Sequence, residues 1–118
     1  MKILENCKID ILGEEWSIEF RGEPEDSCLK ENDGYTDSSV RLIVVDAMCH
    51  IEPDSKKDLY AYKQQVLRHE ILHAFLYESG LSNCSHKSGS WAEDEEIVDW
   101  FAIQAPKIIA AFKTAGCL

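Results

Sequence analysis

The residues best suited to chemistry are two histidines and the glutamate between them. Val66-Leu67-Arg68-His69-Glu70-Ile71-Leu72-His73-Ala74-Phe75-Leu76 carries His-Glu-x-x-His inside an apolar, helix-compatible run. Residues four apart on a helix lie one turn from each other on the same face. His69 and His73 can therefore reach one zinc ion from one side. Glu70 is rotated by about 100° from His69, which sets its carboxylate beside such a metal rather than on it. A base for a zinc-bound water has to stand there.

Two imidazoles do not hold a catalytic zinc; three protein ligands and a water do. The extended motif with a glycine three positions after the second histidine and another histidine three further on is absent, because Leu76 and Ser79 stand at those positions. The third ligand must come from elsewhere. Glu93, Asp94, Glu95, Glu96 and Asp99 crowd the start of a second helical stretch. A helix N-terminus favours carboxylates through its dipole, and this explains Glu93 and Asp94. It explains Asp99 less well, since Asp99 sits between Val98 and Trp100 in the most apolar part. Glu95 lies one turn before Asp99 on the same face. The pair offers a metal ligand and, behind it, a carboxylate that can accept a hydrogen bond from the far nitrogen of a ligand histidine. Glu95 is the leading third ligand, Glu96 the alternative, and Glu93 stands behind both.

These residues need a scaffold. Alternation of Ile9 and Ile11, then of Trp16, Ile18 and Phe20, predicts two antiparallel strands over 7–12 and 15–20 with a turn at Gly13. Residues 21–39 are polar and rich in turn formers and read as one long loop. Arg41–Asp46 is a β-branched apolar run and the strongest strand. A first helix is expected from Pro53–Ser55, with Ser55 and Asp58 forming a cap, to about Glu78, stopped by Gly80. Tyr62, Val66, His69, His73 and Leu76 form one stripe of it, and Leu67, Ile71, Ala74 and Phe75 another. A helix apolar on two sides is buried on two sides, which places it between a sheet and a second helical layer. That layer is a helix from near Trp91, capped by Ser90 and Glu93, through Gln104, with Pro106 bending or ending it and a last segment to Ala115 before Gly116. Trp16, Trp91, Trp100, Phe101 and Phe112 are expected in the core, and His50 as an ordinary hydrogen-bonded histidine.

At 118 residues, 45% of them hydrophobic, residues 1–118 make one domain of α+β class. The formal charge of −10 argues against nucleic acid and anionic membranes as partners. Cys7, Cys28, Cys49, Cys84 and Cys117 are odd in number and irregularly spaced; the polar turn after Met1–Leu4 leads to the expectation of no signal peptide, and no apolar run reaches membrane length. Free thiols and a cytoplasmic location are expected. Cys84-x-His86 is a weak metal pair on a polar loop.

His69-Glu70-x-x-His73 followed by Glu95-x-x-x-Asp99 resembles the gluzincin pattern of thermolysin-like zinc peptidases. Asp99-Trp100-Phe101-Ala102 with Pro106 beyond it is similar to the Glu-x-x-x-Asn/Asp-x-Phe-Ala signature of ImmA/IrrE-type metallopeptidases of prophages and mobile elements. The resemblance spans residues 40–106. It departs at Ile103-Gln104-Ala105-Pro106, where that signature commonly ends Leu-Leu-Met-Pro, and no accompanying DNA-binding domain is expected. It therefore points to a small phage or prophage group.

The resemblance implies a small zincin-like domain, with a short, mainly antiparallel sheet of about three strands on a central His-Glu-x-x-His helix and a C-terminal Glu-x-x-x-Asp helix. It implies zinc held by His69, His73 and Glu95, with Glu70 as general base and proton shuttle to the leaving amine. Asp99 would support a ligand histidine, and strand Arg41–Asp46 would be the edge strand that pairs with an extended protein or peptide substrate. Tyr77, Tyr35 and His86 are candidates for the oxyanion donor. The resulting expectation is a zinc metalloendopeptidase. The competing expectations are a catalytically inactive zincin-fold binding or regulatory protein, and a helical domain with no metal.

Overall fold

The computed structural model describes residues 4–49, 55–84 and 94–118. His50, Pro53, His86 and Trp91, and the cap from Ser90 to Glu93, lie outside the described residues.

Strands β1 (Cys7–Ile11) and β2 (Glu14–Arg21) form the expected hairpin. Leu12 (φ 52°) and Gly13 (φ 89°) are both left-handed, the geometry of a two-residue hairpin turn that matches strand twist. Leu12 has a side chain that disfavours this conformation, and it is exposed.

The stretch 21–39 is not one long loop. It holds a short 3-10 turn at Ser27–Lys30, capped by the Asp26 side chain on the Cys28 amide, and a strand β3 (Gly34–Asp37). A four-residue strand with glycine at its start and only Tyr35 and Thr36 as β-formers carries too little pattern to stand out from its polar surroundings. Strand β4 (Leu42–Asp46) follows.

The sheet therefore has four strands, not three, in the order β1-β2-β4-β3. It is mixed: β1 with β2 and β3 with β4 are antiparallel, and β2 with β4 parallel. The chain leaves β2, crosses to the far edge, and returns as β4 into the gap. The Arg41–Asp46 run is thus an internal strand, not the edge strand. Val44 and Val45 are fully buried, as an internal position demands. β3 is the edge.

Helix α1 (Leu59–Glu78) packs on one face of this sheet, with Val66 and Ala74 joining Ile11, Trp16, Ile18, Ile43 and Val45 in the core. It starts later than expected. Asp58 is itself the cap, accepting from the Ala61 amide, and Ser55 lies outside the helix. The far end of α1 is tied to the sheet by Glu78, whose Oε1 accepts from Trp16 Nε1 at 2.9 Å and from Arg41 Nε at 2.5 Å. Gly80 follows in the left-handed conformation (φ 84°), and a short helix α2 covers Leu81–Cys84.

Helix α3 (Glu95–Ala115) begins at Glu95 with Asp94 as its cap, accepting from the Glu96 amide. It runs through Pro106 without a break. Proline has no N–H, so the Ala102 carbonyl, four residues back, loses its helical partner. Arg68 of α1 replaces it, donating from Nε to Ala102 O at 2.6 Å. Ala102 is fully buried, so water is a poor substitute there.

Val98, Ala102 and Ala105 of α3 are buried, and α1 is packed on two sides as its pattern required. Of the expected core aromatics, Trp16 is buried. Trp100, Phe101 and Phe112 are instead exposed: α3 packs through its small residues, and the large ones point away. Cys7, Cys28, Cys49 and Cys117 are free thiols. Among the described residues, no helix is long and apolar enough to cross a membrane.

Candidate metal centre

Antiparallel packing of α1 on α3 brings His69, His73, Glu95 and Asp99 together. Glu95 Oε2 lies 3.0 Å from His69 Nε2 and Glu95 Oε1 lies 3.0 Å from His73 Nε2. The two Nε2 atoms are 3.1 Å apart. On the other side of the ring, His69 Nδ1 meets Asp99 Oδ1 at 2.6 Å. Glu95 is the glutamate at the histidines, while the Glu96 amide donates to the Asp94 cap.

A carboxylate only accepts, so the proton of a neutral His69 sits on Nδ1, facing Asp99. Nε2 then turns its lone pair on a carboxylate oxygen at 3.0 Å and on a second ring nitrogen. A proton on His73 Nε2, or a cation between the donors, relieves this repulsion. Three carboxylates (Glu70, Glu95 and Asp99) around two imidazoles make the site attractive to positive charge.

The spacing fits a metal. Donors on one tetrahedral zinc at about 2.0 to 2.1 Å stand about 3.3 Å apart, close to the 3.0 and 3.1 Å observed. Two imidazole nitrogens and one carboxylate oxygen are also a donor set of the hardness that zinc takes. His69, Glu70 and His73 by themselves place one potential ligand atom each within 4.8 Å of one another.

Glu70 is held differently from Glu95. It is 7% exposed, with Oε2 4.0 Å from His69 Nε2. The Thr36 hydroxyl lies 2.8 Å from Glu70 Oε1 and 3.1 Å from the Glu70 carbonyl. Burial pushes the Glu70 carboxyl above its ordinary range, while the bond from Thr36 and the nearby histidines pull it back in part. Thr36 was not singled out in the sequence, because its strand was not visible there. Gly34 serves the same junction. A Cβ on it would stand 2.9 Å from Val44 O and 3.0 Å from Val66 Cγ1, so only glycine lets β3 come this close to α1.

Two cavities meet at His69 and Glu70, one of about 220 Å³ reaching Asp33, Tyr62 and Asp99, the other of about 330 Å³ reaching Thr36, His73, Tyr77 and Glu95. Both are bordered by Gly34, so the groove follows the β3 edge. The Asp46 amide donates to Asp33 O, which makes Asp33 and Asp46 a hydrogen-bonded pair of the antiparallel ladder. Alternation along the ladder then turns the backbone groups of Gly34 and Thr36 to the free edge.

Of the oxyanion candidates, Tyr77 lines the groove. Tyr35 also borders it, but its hydroxyl donates to Asp26 Oδ2 at 2.5 Å and accepts from Arg21 Nη1 at 3.3 Å, so it is committed to a separate network. Burial first, and that bond second, push the Tyr35 phenol up to about 12. His86 lies outside the described residues. No family model, no curated protein and no solved structure matches this chain.

Proposed function

We propose that this chain is a zinc-dependent metallopeptidase of gluzincin type, hydrolysing peptide bonds of a protein substrate. The observation that supports this reading is the convergence of His69 Nε2, His73 Nε2 and the Glu95 carboxylate at mutual distances of 3.0 to 3.1 Å, with the buried Glu70 carboxylate alongside. The metal, when bound to these three residues, supplies a Lewis acid that acidifies water and polarises a carbonyl.

The chain's own residues do the rest. Thr36 occupies Glu70 Oε1, which leaves Oε2, the oxygen on the His69 side, to take a proton from the attacking water and pass it to the leaving amine nitrogen. Burial raises the basicity of that oxygen. Asp99 fixes the His69 tautomer. The outward backbone groups of Gly34 and Thr36 offer one short stretch of strand pairing to an extended peptide lying in the groove. The small phage or prophage zincins that the motifs resemble are the group to which this reading assigns the chain.

The test is Glu70→Gln. The variant keeps its metal and loses peptide hydrolysis by at least about 100-fold, the usual contribution of a general base. Undiminished hydrolysis in that variant removes Glu70 from the reaction. Metal retention with no hydrolysis in the native chain, on protein and peptide substrates alike, favours the scaffold acting as a binding protein.

A further inference from the structure

Helix α3 carries a mostly apolar stripe that the domain leaves exposed except at Gln104 and Ile108, which are half-buried. Ile97, Phe101, Gln104, Ile108, Ala111 and Ala115 recur at alternating intervals of four and three, which aligns them along one side of the helix. Trp100 and Phe112 flank the stripe. Ile97 is 46% exposed, Trp100 56%, Phe101 41% and Phe112 47%. From Ile109 to Leu118 every residue is exposed, so the last turns of α3 have no cover from the described residues. Scattered exposed apolar side chains are ordinary, but a continuous stripe with three large aromatics is not.

We infer that α3 pairs with α3 of a second copy of this chain, antiparallel, across a two-fold axis. The charges on α3 select this occupant and this direction. Asp94, Glu95, Glu96 and Asp99 make its first turns acidic, while Lys107 and Lys113 lie in its second half. Glu96 and Lys107 are eleven residues apart, about three turns, and thus stand on the same flank of the stripe. A parallel pair would put Glu96 of one copy and Lys107 of the other on opposite sides of the seam, so neither charge would meet the other. An antiparallel pair that layers Ile97 on Ile108 of the second copy sets Glu96 and Trp100 beside its Lys107, and symmetry repeats the contact. Opposed helix dipoles favour the same direction.

The area is sufficient. Ile97, Trp100, Phe101 and Phe112 offer about 400 Å² per copy, hence about 800 Å² over two, and Gln104, Ile108 and Ala111 extend this toward the roughly 1,000 Å² of a small specific interface.

Sedimentation velocity on the full chain across a concentration series tests the proposal. The expected species has twice the chain mass of 13.4 kDa. Phe101→Asp combined with Ile108→Asp converts it to monomer with the helical circular dichroism retained. Glu96→Lys and Lys107→Glu, both on the exposed flank, each weaken the dimer by about 3- to 10-fold, and the two together restore it, as expected for exposed ion pairs. A native chain that stays monomeric up to roughly hundreds of micromolar overturns the proposal. A dimer indifferent to the Phe101 and Ile108 changes overturns it as well. A double charge variant no tighter than the single ones overturns the antiparallel arrangement.

Discussion

Arg68→Met isolates the contact that docks the two site helices. Arg68 Nε donates to Ala102 O at 2.6 Å, and Ala102 lacks its helical donor because residue 106 is proline. Methionine keeps most of the apolar stem and removes the donor. A hydrogen bond from a charged group contributes about 1.5 to 3 kcal/mol, and an orphaned buried carbonyl costs a comparable amount, so the variant should lose about 2 kcal/mol of unfolding free energy. The same change made in a Pro106→Ala background should cost much less, about 0.5 to 1 kcal/mol, because the alanine N–H supplies the missing helical bond. Urea denaturation of the four proteins gives the coupling directly. A cost for Arg68→Met that is the same with and without Pro106 would refute the reasoning, and would reduce Arg68 to a packing residue.

Thr36→Val should destabilise by about 1.5 to 3 kcal/mol, since it strips the hydroxyl from a buried carboxylate; in a Glu70→Gln background the cost should fall to about 1 kcal/mol, and equal costs in urea titrations would show that the bond is not made to the charged group. Acid should destabilise the fold through Asp26 and Glu78. The Tyr35 hydroxyl and then Arg21 hold Asp26 below the usual carboxylate range, and Arg41 and then Trp16 do the same for Glu78. Their contribution is complete above the unfolded-state values near 4 and is lost as pH falls through the lower folded-state ones. Thermal midpoints should therefore fall below about pH 4, and less steeply in Asp26→Asn; an unchanged slope in that variant would remove Asp26 from the account.

The sequence was most informative where a single period governed a long run. The β1–β2 hairpin, the β4 strand and the body of α1 were legible because alternation or helical spacing persisted across several buried positions. Glu95 and Asp99 stood out as carboxylates one turn apart beside apolar residues; the structure places them in the first two turns of α3, each in contact with His69. β3 was not legible: four residues cannot establish a period, and its meaning lies in contacts with α1 some thirty residues away, through Thr36 and the missing side chain of Gly34. That omission also displaced the edge of the sheet onto β4, since strand order follows from which strand returns to fill the gap and not from the composition of any one strand. Trp100, Phe101 and Phe112 misled for a related reason. Size argues for burial, but α3 approaches α1 closely only through Val98, Ala102 and Ala105, which turns the aromatics outward.

Metal content measures the central claim most directly. Protein purified without added metal and analysed by elemental mass spectrometry should contain about one equivalent of zinc. Glu95→Ala should lower the affinity by about 10-fold or more, as loss of a directly bonded ligand must at least match the 10- to 100-fold effect of the residues behind the ligands, whereas Glu96→Ala should leave it nearly unchanged. A native chain that neither retains zinc nor takes it up on titration, or a Glu96→Ala variant weaker than Glu95→Ala, would contradict the account.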